Sequence, residues 1–267
     1  MSHESKSASN LQQSIFNQAA ALGVANQIKS SQQIDVNLDT EMPQLLQGKV
    51  KSLQITGEKV VAIKDVHLEQ LTFSGDDLSL NLSQAILGKI AFERPGNFKV
   101  KLVFTESDCD RLLNSEYVRI LLQNLCLDLN SEAASFYLQA GKCCFVDDGT
   151  LSLSATVVLN REQQTKTAEF EMRLQFYQDG LKVKFVGGKY REGKALDLDE
   201  TLSILNKVGD LLYLRHFANA DLAVDVTKIK LKNQQLVVQA LTQIKRLPDS
   251  VSQSIKSVCE EINDLDL

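Results

Sequence analysis

Apolar and polar residues alternate with a period of two through most of the chain from about Val50 to Ala240. Leu78, Leu80 and Leu82 alternate with Ser79, Asn81 and Ser83. Phe98, Val100, Leu102 and Phe104 alternate with Lys99, Lys101 and Val103. Ala168, Phe170, Met172, Leu174 and Phe176 alternate with Glu169, Glu171, Arg173 and Gln175. Successive side chains on a strand point to opposite faces, so each run makes a ribbon with one apolar and one wet face. The spacing predicts strands over 50–55, 60–63 and 66–73 (one bent strand or two), 78–82, 98–104, 136–138, 142–146, 151–159, 168–176, 181–185, 222–231 and 236–241. Residues 85–92 fit neither period clearly. Turn signals separate many of these runs: Gly75-Asp76-Asp77, Pro95-Gly96-Asn97, Asp148-Gly149, Asp179-Gly180 and Asn233. Asp179-Gly180 lies between two alternating runs and tolerates the positive φ that a two-residue hairpin turn demands. Gly187-Gly188 breaks the pattern.

Helical spacing is found in fewer places. Leu11, Ile15, Ala19 and Leu22 share a face over 11–29, widened by Phe16 and Ala20. Leu202, Leu205, Val208, Leu212 and Phe217 recur at helical spacing over 199–218, with Asp197 or Asp199 as the cap. Thr105-Glu106-Ser107-Asp108 has capping-box form, with Asp where Glu or Gln is usual, and predicts a short helix to about Leu113. Ser115 caps a second helix over 116–122. Residues 1–9 read as a polar tail, 10–245 as a single domain, and 246–267, beyond the last hairpin and interrupted by Pro248, as a C-terminal tail or short helix. No repeat of fixed period and no low-complexity linker divides the chain.

The 267 residues are 43% hydrophobic and 24% charged, an ordinary globular balance. A net charge of −5 and a pI of about 5.4 argue against a nucleic-acid partner, which calls for a basic footprint. The apolar stretch from Ala19 to Ala25 is too short to span a bilayer, and Gln12, Gln13, Asn17 and Gln18 interrupt any signal-peptide core. The expectation is a cytoplasmic protein, peripheral to a membrane where it meets one. Cys109, Cys126, Cys143, Cys144 and Cys259 are odd in number, which disfavours a disulfide framework and fits reduced thiols.

No reaction chemistry stands out. Gly188-Lys189-Tyr190-Arg191-Glu192-Gly193-Lys194-Ala195 misses a phosphate-binding loop by one residue, because Ala195 stands where a Ser or Thr hydroxyl would hold Mg²⁺. The strand before it also belongs to an antiparallel hairpin. The histidines His3, His67 and His216 and the adjacent Cys143-Cys144 have no metal-ligand spacing. There is no Gly-x-Ser-x-Gly elbow, so a lipid hydrolase lacks a visible nucleophile. No catalytic residue, cofactor or metal is expected. Lysines recur on wet faces: Lys99 and Lys101, Lys182 and Lys184, and Lys228, Lys230 and Lys232. They serve as solubilising and edge-protecting charges, or as a strip meeting anionic lipid headgroups.

The order of elements resembles a known family. Gly48-Lys49-Val50 leads into the alternating meander. Leu102-Val103-Phe104-Thr105-Glu106-Ser107-Asp108 follows, then Leu112-Leu113-Asn114-Ser115 with a helix through Val118, then Gly149-x-Leu151-x-Leu153-x-Ala155. This combination is similar to the LmeA-like phospholipid-binding family over about 15–245. The resemblance implies an α+β fold in which long amphipathic helices pack against a strongly curved antiparallel β-sheet. That is the tubular lipid-binding type, which includes bactericidal permeability-increasing protein. It also implies non-catalytic binding of diacyl phospholipid in an apolar tunnel between helix and sheet, with transfer as a further expectation.

The residues themselves point the same way, since two amphipathic helices cannot cover some ten half-apolar ribbons. Inward residues are mostly Leu, Val, Ile and Phe, and the chain has no Trp. Such a lining suits acyl chains, which need no directional partners. The expected lining is Ile15, Phe16, Ala19, Leu22, Leu80, Phe98, Leu102, Phe104, Leu153, Phe170, Leu174, Val183 and Phe185. Lys182, Lys184, Lys228 and Lys230 are the expected contacts to headgroup or anionic surface. The partners expected are phospholipid and, transiently, an anionic membrane; the oligomeric state stays open. The alternative is a structural or protein-partner-binding β-rich protein whose core is filled entirely by its own side chains.

Overall fold

Long ribbons dominate. The computed structural model describes residues 28–62, 66–83, 91–123, 127–129, 132–146, 149–161, 164–177, 182–193, 216–218 and 221–246. Strands β1 (Ile28–Ser30), β2 (Gln33–Asp39), β3 (Lys49–Ala62), β4 (Val66–Ser79) and β5 (Ala91–Phe104) come first, with a one-turn helix α1 (Met42–Leu45) between β2 and β3. Two short helices follow, α2 (Glu106–Leu113) and α3 (Glu116–Gln123). Next are β6 (Leu127–Leu129), β7 (Glu132–Phe145), β8 (Thr150–Arg161), β9 (Gln164–Tyr177) and β10 (Lys182–Gly193), and last β11 (His216–Ala218), β12 (Leu222–Lys232) and β13 (Gln235–Arg246).

The strands form two antiparallel sheets. The larger has the order β1-β3-β4-β5-β13-β12-β11, with β2 also paired to β3; the smaller has the order β10-β9-β8-β7-β6. β13 pairs with β5, Leu236 opposite Phe104, so the small sheet is inserted between two neighbouring strands of the large one.

This corrects the expected fold class. Strand accounts for 77% of the described residues, the sheets are two, and neither is strongly curled. The helices among the described residues run to at most eight residues. A second sheet lies against part of the first sheet's apolar face, so the first need not curl on itself to bury it. The two long helices expected over 11–29 and 199–218 lie outside the described residues except at their ends. There Ile28 and Lys29 belong to β1 and His216–Ala218 to β11. Among the described residues no helix is long and apolar enough to cross a membrane.

Several expected breaks are irregularities inside longer strands. The run 50–55 and the described part of 60–63, to Ala62, are one strand, β3, with Lys59 at φ 48°. Gly75-Asp76-Asp77 does not turn the chain: β4 runs through it, with Asp77 at φ 52°. Pro95-Gly96-Asn97 lies within β5. Gly96 pairs with Ile244 and Ala91 with Arg246, so the residues between them bulge out, and β4 pairs with β5 only from Phe98 onward. Pro95 therefore sits where its missing N–H costs no ladder bond. β10 runs through Gly187-Gly188, with a register shift between Phe185 and Gly187. β2 was not expected, although Ile34, Val36 and Leu38 alternate with Asp35, Asn37 and Asp39. The hairpins β9–β10 and β12–β13 and the helices α2 and α3 form where the spacing predicts them. Asn233 and Gln234, at φ 53° and 56°, give the β12–β13 turn the two left-handed residues of a type I′ hairpin.

Two clusters of buried side chains make the core. One joins the sheets, with Val60, Leu68 and Phe104 of the large sheet against Cys143, Phe145, Leu151, Met172 and Leu174 of the small one, and Cys109 of α2 between them. The other belongs to the large sheet alone: Leu38, Val50, Leu78, Phe92, Phe98 and Ile244, with Leu45 of α1 packed against it.

Candidate functional site

The helix that joins the sheets behaves like an extra strand. Thr105 caps α2 with both bonds of a capping box. Its Oγ1 accepts from the Asp108 N–H at 3.2 Å, and Asp108 Oδ2 accepts from the Thr105 N–H at 2.9 Å. Below the cap, Glu106, Asp110 and Asn114 share one face at intervals of four residues, a rise of about 6.0 Å each. Alternate residues of a strand are spaced by about 6.6 Å. The near match lets the three side chains meet Phe145, Cys143 and Gly141 of β7 in turn. The N–H of Phe145 donates to Glu106 Oε1, and that of Cys143 to Asp110 Oδ1. The N–H of Gly141 donates to Asn114 Oδ1 at 2.9 Å, and Asn114 Nδ2 donates to the Gly141 carbonyl at 2.7 Å. These groups point away from β8 and would otherwise be open sheet edge. Gly141 allows the close approach, since a Cβ there would lie 3.3 Å from Leu113 Cβ.

On its other side α2 reaches β4. Arg111 Nη1 donates to His67 Nδ1 at 2.8 Å. Cys109 and Cys143 are free, buried thiols in the inter-sheet cluster. A hydrogen bond with Cys109, then burial, hold the Cys143 thiol far above the usual thiol range, so it stays protonated and inert. The segment that carried the family resemblance is thus a clasp between sheets.

Around the inter-sheet cluster lies a margin of half-buried apolar side chains. Leu71, Leu102, Leu231, Leu236 and Val238 come from the large sheet, and Leu153, Phe170, Phe176 and Val183 from the small one. The structure therefore brings Leu102, Phe104, Leu153, Phe170, Leu174 and Val183 of the expected lining to one seam. Phe98 and Leu80 belong to the other cluster. Phe98 is 2% exposed, stacked on Phe73 at 4.5 Å between ring centres and tilted against Phe92 at 5.4 Å. Phe185 faces solvent at 47% exposure. Ile15, Phe16, Ala19 and Leu22 lie outside the described residues.

The seam margin also holds Leu71, Phe176, Leu231, Leu236 and Val238, which were not expected. Alternation marks them as inward-facing, but only strand pairing places them: β4 sets Leu71 and β13 sets Val238 beside Leu102, Leu236 lies opposite Phe104 with Leu231 next to it, and Phe176 pairs with Val183. Cavities open at the surface of the described residues. One of about 200 Å³ is lined by polar residues of β2, β3 and β4, among them Gln33, Asp35, Glu58 and Gln70. Another, a depression of about 510 Å³ open to solvent, lies over Arg119, Tyr137, Leu138, Gln139, Val158 and Asn160.

The expected lysine contacts separate. Lys182 and Lys184 are on β10 of the small sheet, and Lys228 and Lys230 on β12 of the large one. Among the described residues no group of three or more His, Cys, Asp or Glu is placed to hold a metal ion.

No curated protein and no solved structure matches the chain. One family model does match, over residues 8–240, and its description is LmeA-like phospholipid-binding.

Proposed function

We propose that this chain, which belongs to the LmeA-like phospholipid-binding family, holds a diacyl phospholipid at the seam between its two sheets and does no chemistry on it. The observation that carries the reading is the margin of half-buried apolar side chains from both sheets. Leu102, Leu153, Phe170, Phe176 and Val183 ask nothing directional of a ligand. Each methylene taken from water there contributes about 0.8 kcal/mol, so two acyl tails outweigh the cost of ordering them. Shielding the tails from water also lowers the barrier to moving the lipid between membranes.

The absence of tryptophan from the chain makes a direct test available. Phe170→Trp gives one fluorophore at the seam. Phospholipid brominated along its acyl chains is expected to quench it, while lipid brominated at the headgroup leaves it bright. Native mass spectrometry of the unaltered protein is expected to show co-purified phospholipid. A bare protein mass together with no acyl-chain quenching overturns the reading and favours the self-packed β protein.

A further inference from the structure

The outer face of the large sheet gathers lysines that are scattered in the sequence. On β5, Lys99 and Lys101 occupy the face opposite Phe98, Val100 and Leu102. Lys99 lies beside Leu241 of β13, and Lys101 beside Gln239. On β12 the simple alternation would send Lys228, Lys230 and Lys232 to the same side as Val224 and Val226. A bulge prevents this: Val226 pairs with Ala240 but Lys228 pairs with Gln239, so Thr227 is the extra residue and the alternation is reset. Lys228 thus shares the row Lys101–Gln239–Lys228, and Lys230 and Lys232 follow on the same face. Strands are about 4.8 Å apart and alternate residues about 6.7 Å, so these charges lie on one platform about 10 Å wide and about 20 Å long.

Two further features define its partner. The outward positions of β5, β13 and β12 carry two acids, Glu93, which accepts from Ser79 Oγ at the far end of β5, and Asp225, against these five lysines and Lys245, in a chain whose net charge is −5. Lys99, Lys101, Lys230 and Lys232 are exposed. Between the two lysine-bearing strands Leu241 stands 49% exposed. The described outward side chains of these strands include no aromatic ring, so nothing offers the stacking that single-stranded nucleic acid uses. A basic face of an uncurled sheet, with an exposed leucine beside Lys99 at one end, matches an anionic bilayer surface, where headgroups meet lysines and the leucine enters the interface. We infer that the outer face of β5, β13 and β12 docks the protein on anionic membranes. This rests on the proposed lipid binding only for its purpose, since the docking itself is a separate contact.

The test uses the full chain in flotation with phosphatidylserine–phosphatidylcholine vesicles and with vesicles of phosphatidylcholine alone, at low and high salt. Binding is expected on the anionic vesicles and lost at high salt. Each lysine near such a surface is worth about fivefold in affinity. Lys99→Glu with Lys101→Glu, and separately Lys230→Glu with Lys232→Glu, are expected to weaken binding at least about tenfold. Lys182→Glu with Lys184→Glu, on the other sheet, is expected to leave it unchanged. Unaltered thermal unfolding and co-purified lipid in the variants keep docking apart from lipid holding. A protein that carries no lipid yet floats on anionic vesicles sustains the docking and removes the proposed function. Equal binding by the reversed-charge variants, indifference to vesicle charge, or preference for single-stranded RNA over vesicles overturns it.

Discussion

Thr242 stands between Phe98 on one side and Val224 on the other, on the apolar face of the large sheet. It is 8% exposed, and its hydroxyl has no hydrogen-bond partner. An unpaired buried hydroxyl carries a desolvation penalty that an apolar group of the same shape does not. Thr242→Val keeps the branched shape and is expected to raise the unfolding free energy by about 1 kcal/mol, read from denaturant midpoints at unchanged slope. Its neighbour Phe98 shows how far a single residue could be read in advance. Its place in an alternating run marks it as inward-facing. What covers it was not legible, because the cover comes from Phe73, Phe92 and the bare backbone of Gly75 and Gly96, where a Cβ would lie 2.4 and 2.8 Å from its ring. Period-two spacing assigns a face but says nothing about the object facing it. This is why the expected lining divides between a self-packed cluster and the seam.

Among the elements, α2 has the most unusual task, replacing a neighbouring strand along the open edge of β7. Asp110→Ala removes the acceptor for the Cys143 amide and leaves that donor buried. Amide exchange is expected to accelerate at Cys143, and by less at Gly141, while the β8–β9 ladder keeps its protection. Uniform acceleration throughout would mean the clasp is not a local device. The helix itself was legible from Thr105 to Asp108, since a capping box is a local signal. Its partner was not, because a helix with acceptors every four residues is indistinguishable in sequence from one with a solvated acidic face. The misplaced breaks have the opposite cause. Gly75-Asp76-Asp77 and Gly187-Gly188 carry real local turn chemistry, but each is paired with neighbouring strand: the first keeps the β3–β4 register unbroken with Asp77 in the left-handed region, and the second is absorbed as a register shift in β10. The same effect at Thr227 decides which way Lys228, Lys230 and Lys232 point, something plain alternation assigns to the wrong face.

For the molecule as a whole, the order of strands matters more than their number. β5 lies between β4 and β13, and the entire small sheet lies in the chain between β5 and its second neighbour. A chain ended before Leu222 lacks β12 and β13 and leaves the second edge of β5 unpaired, with Val100 and Leu102 uncovered beside it. Such a truncation is expected to scatter light and sediment as aggregate at concentrations where the full chain stays in solution; a soluble, monomeric fragment would show that the large sheet closes without them. The excess of half-apolar ribbon was legible in the sequence. That a second sheet meets it was not, because the pairing that separates two sheets is non-local and leaves no mark in a window of neighbouring residues. The same wiring sets an order of events at the ribosome. β5 emerges with its companion unmade, the intervening sheet can assemble first, and for all that time one flank of the nascent ribbon waits bare, a natural point for a chaperone to hold.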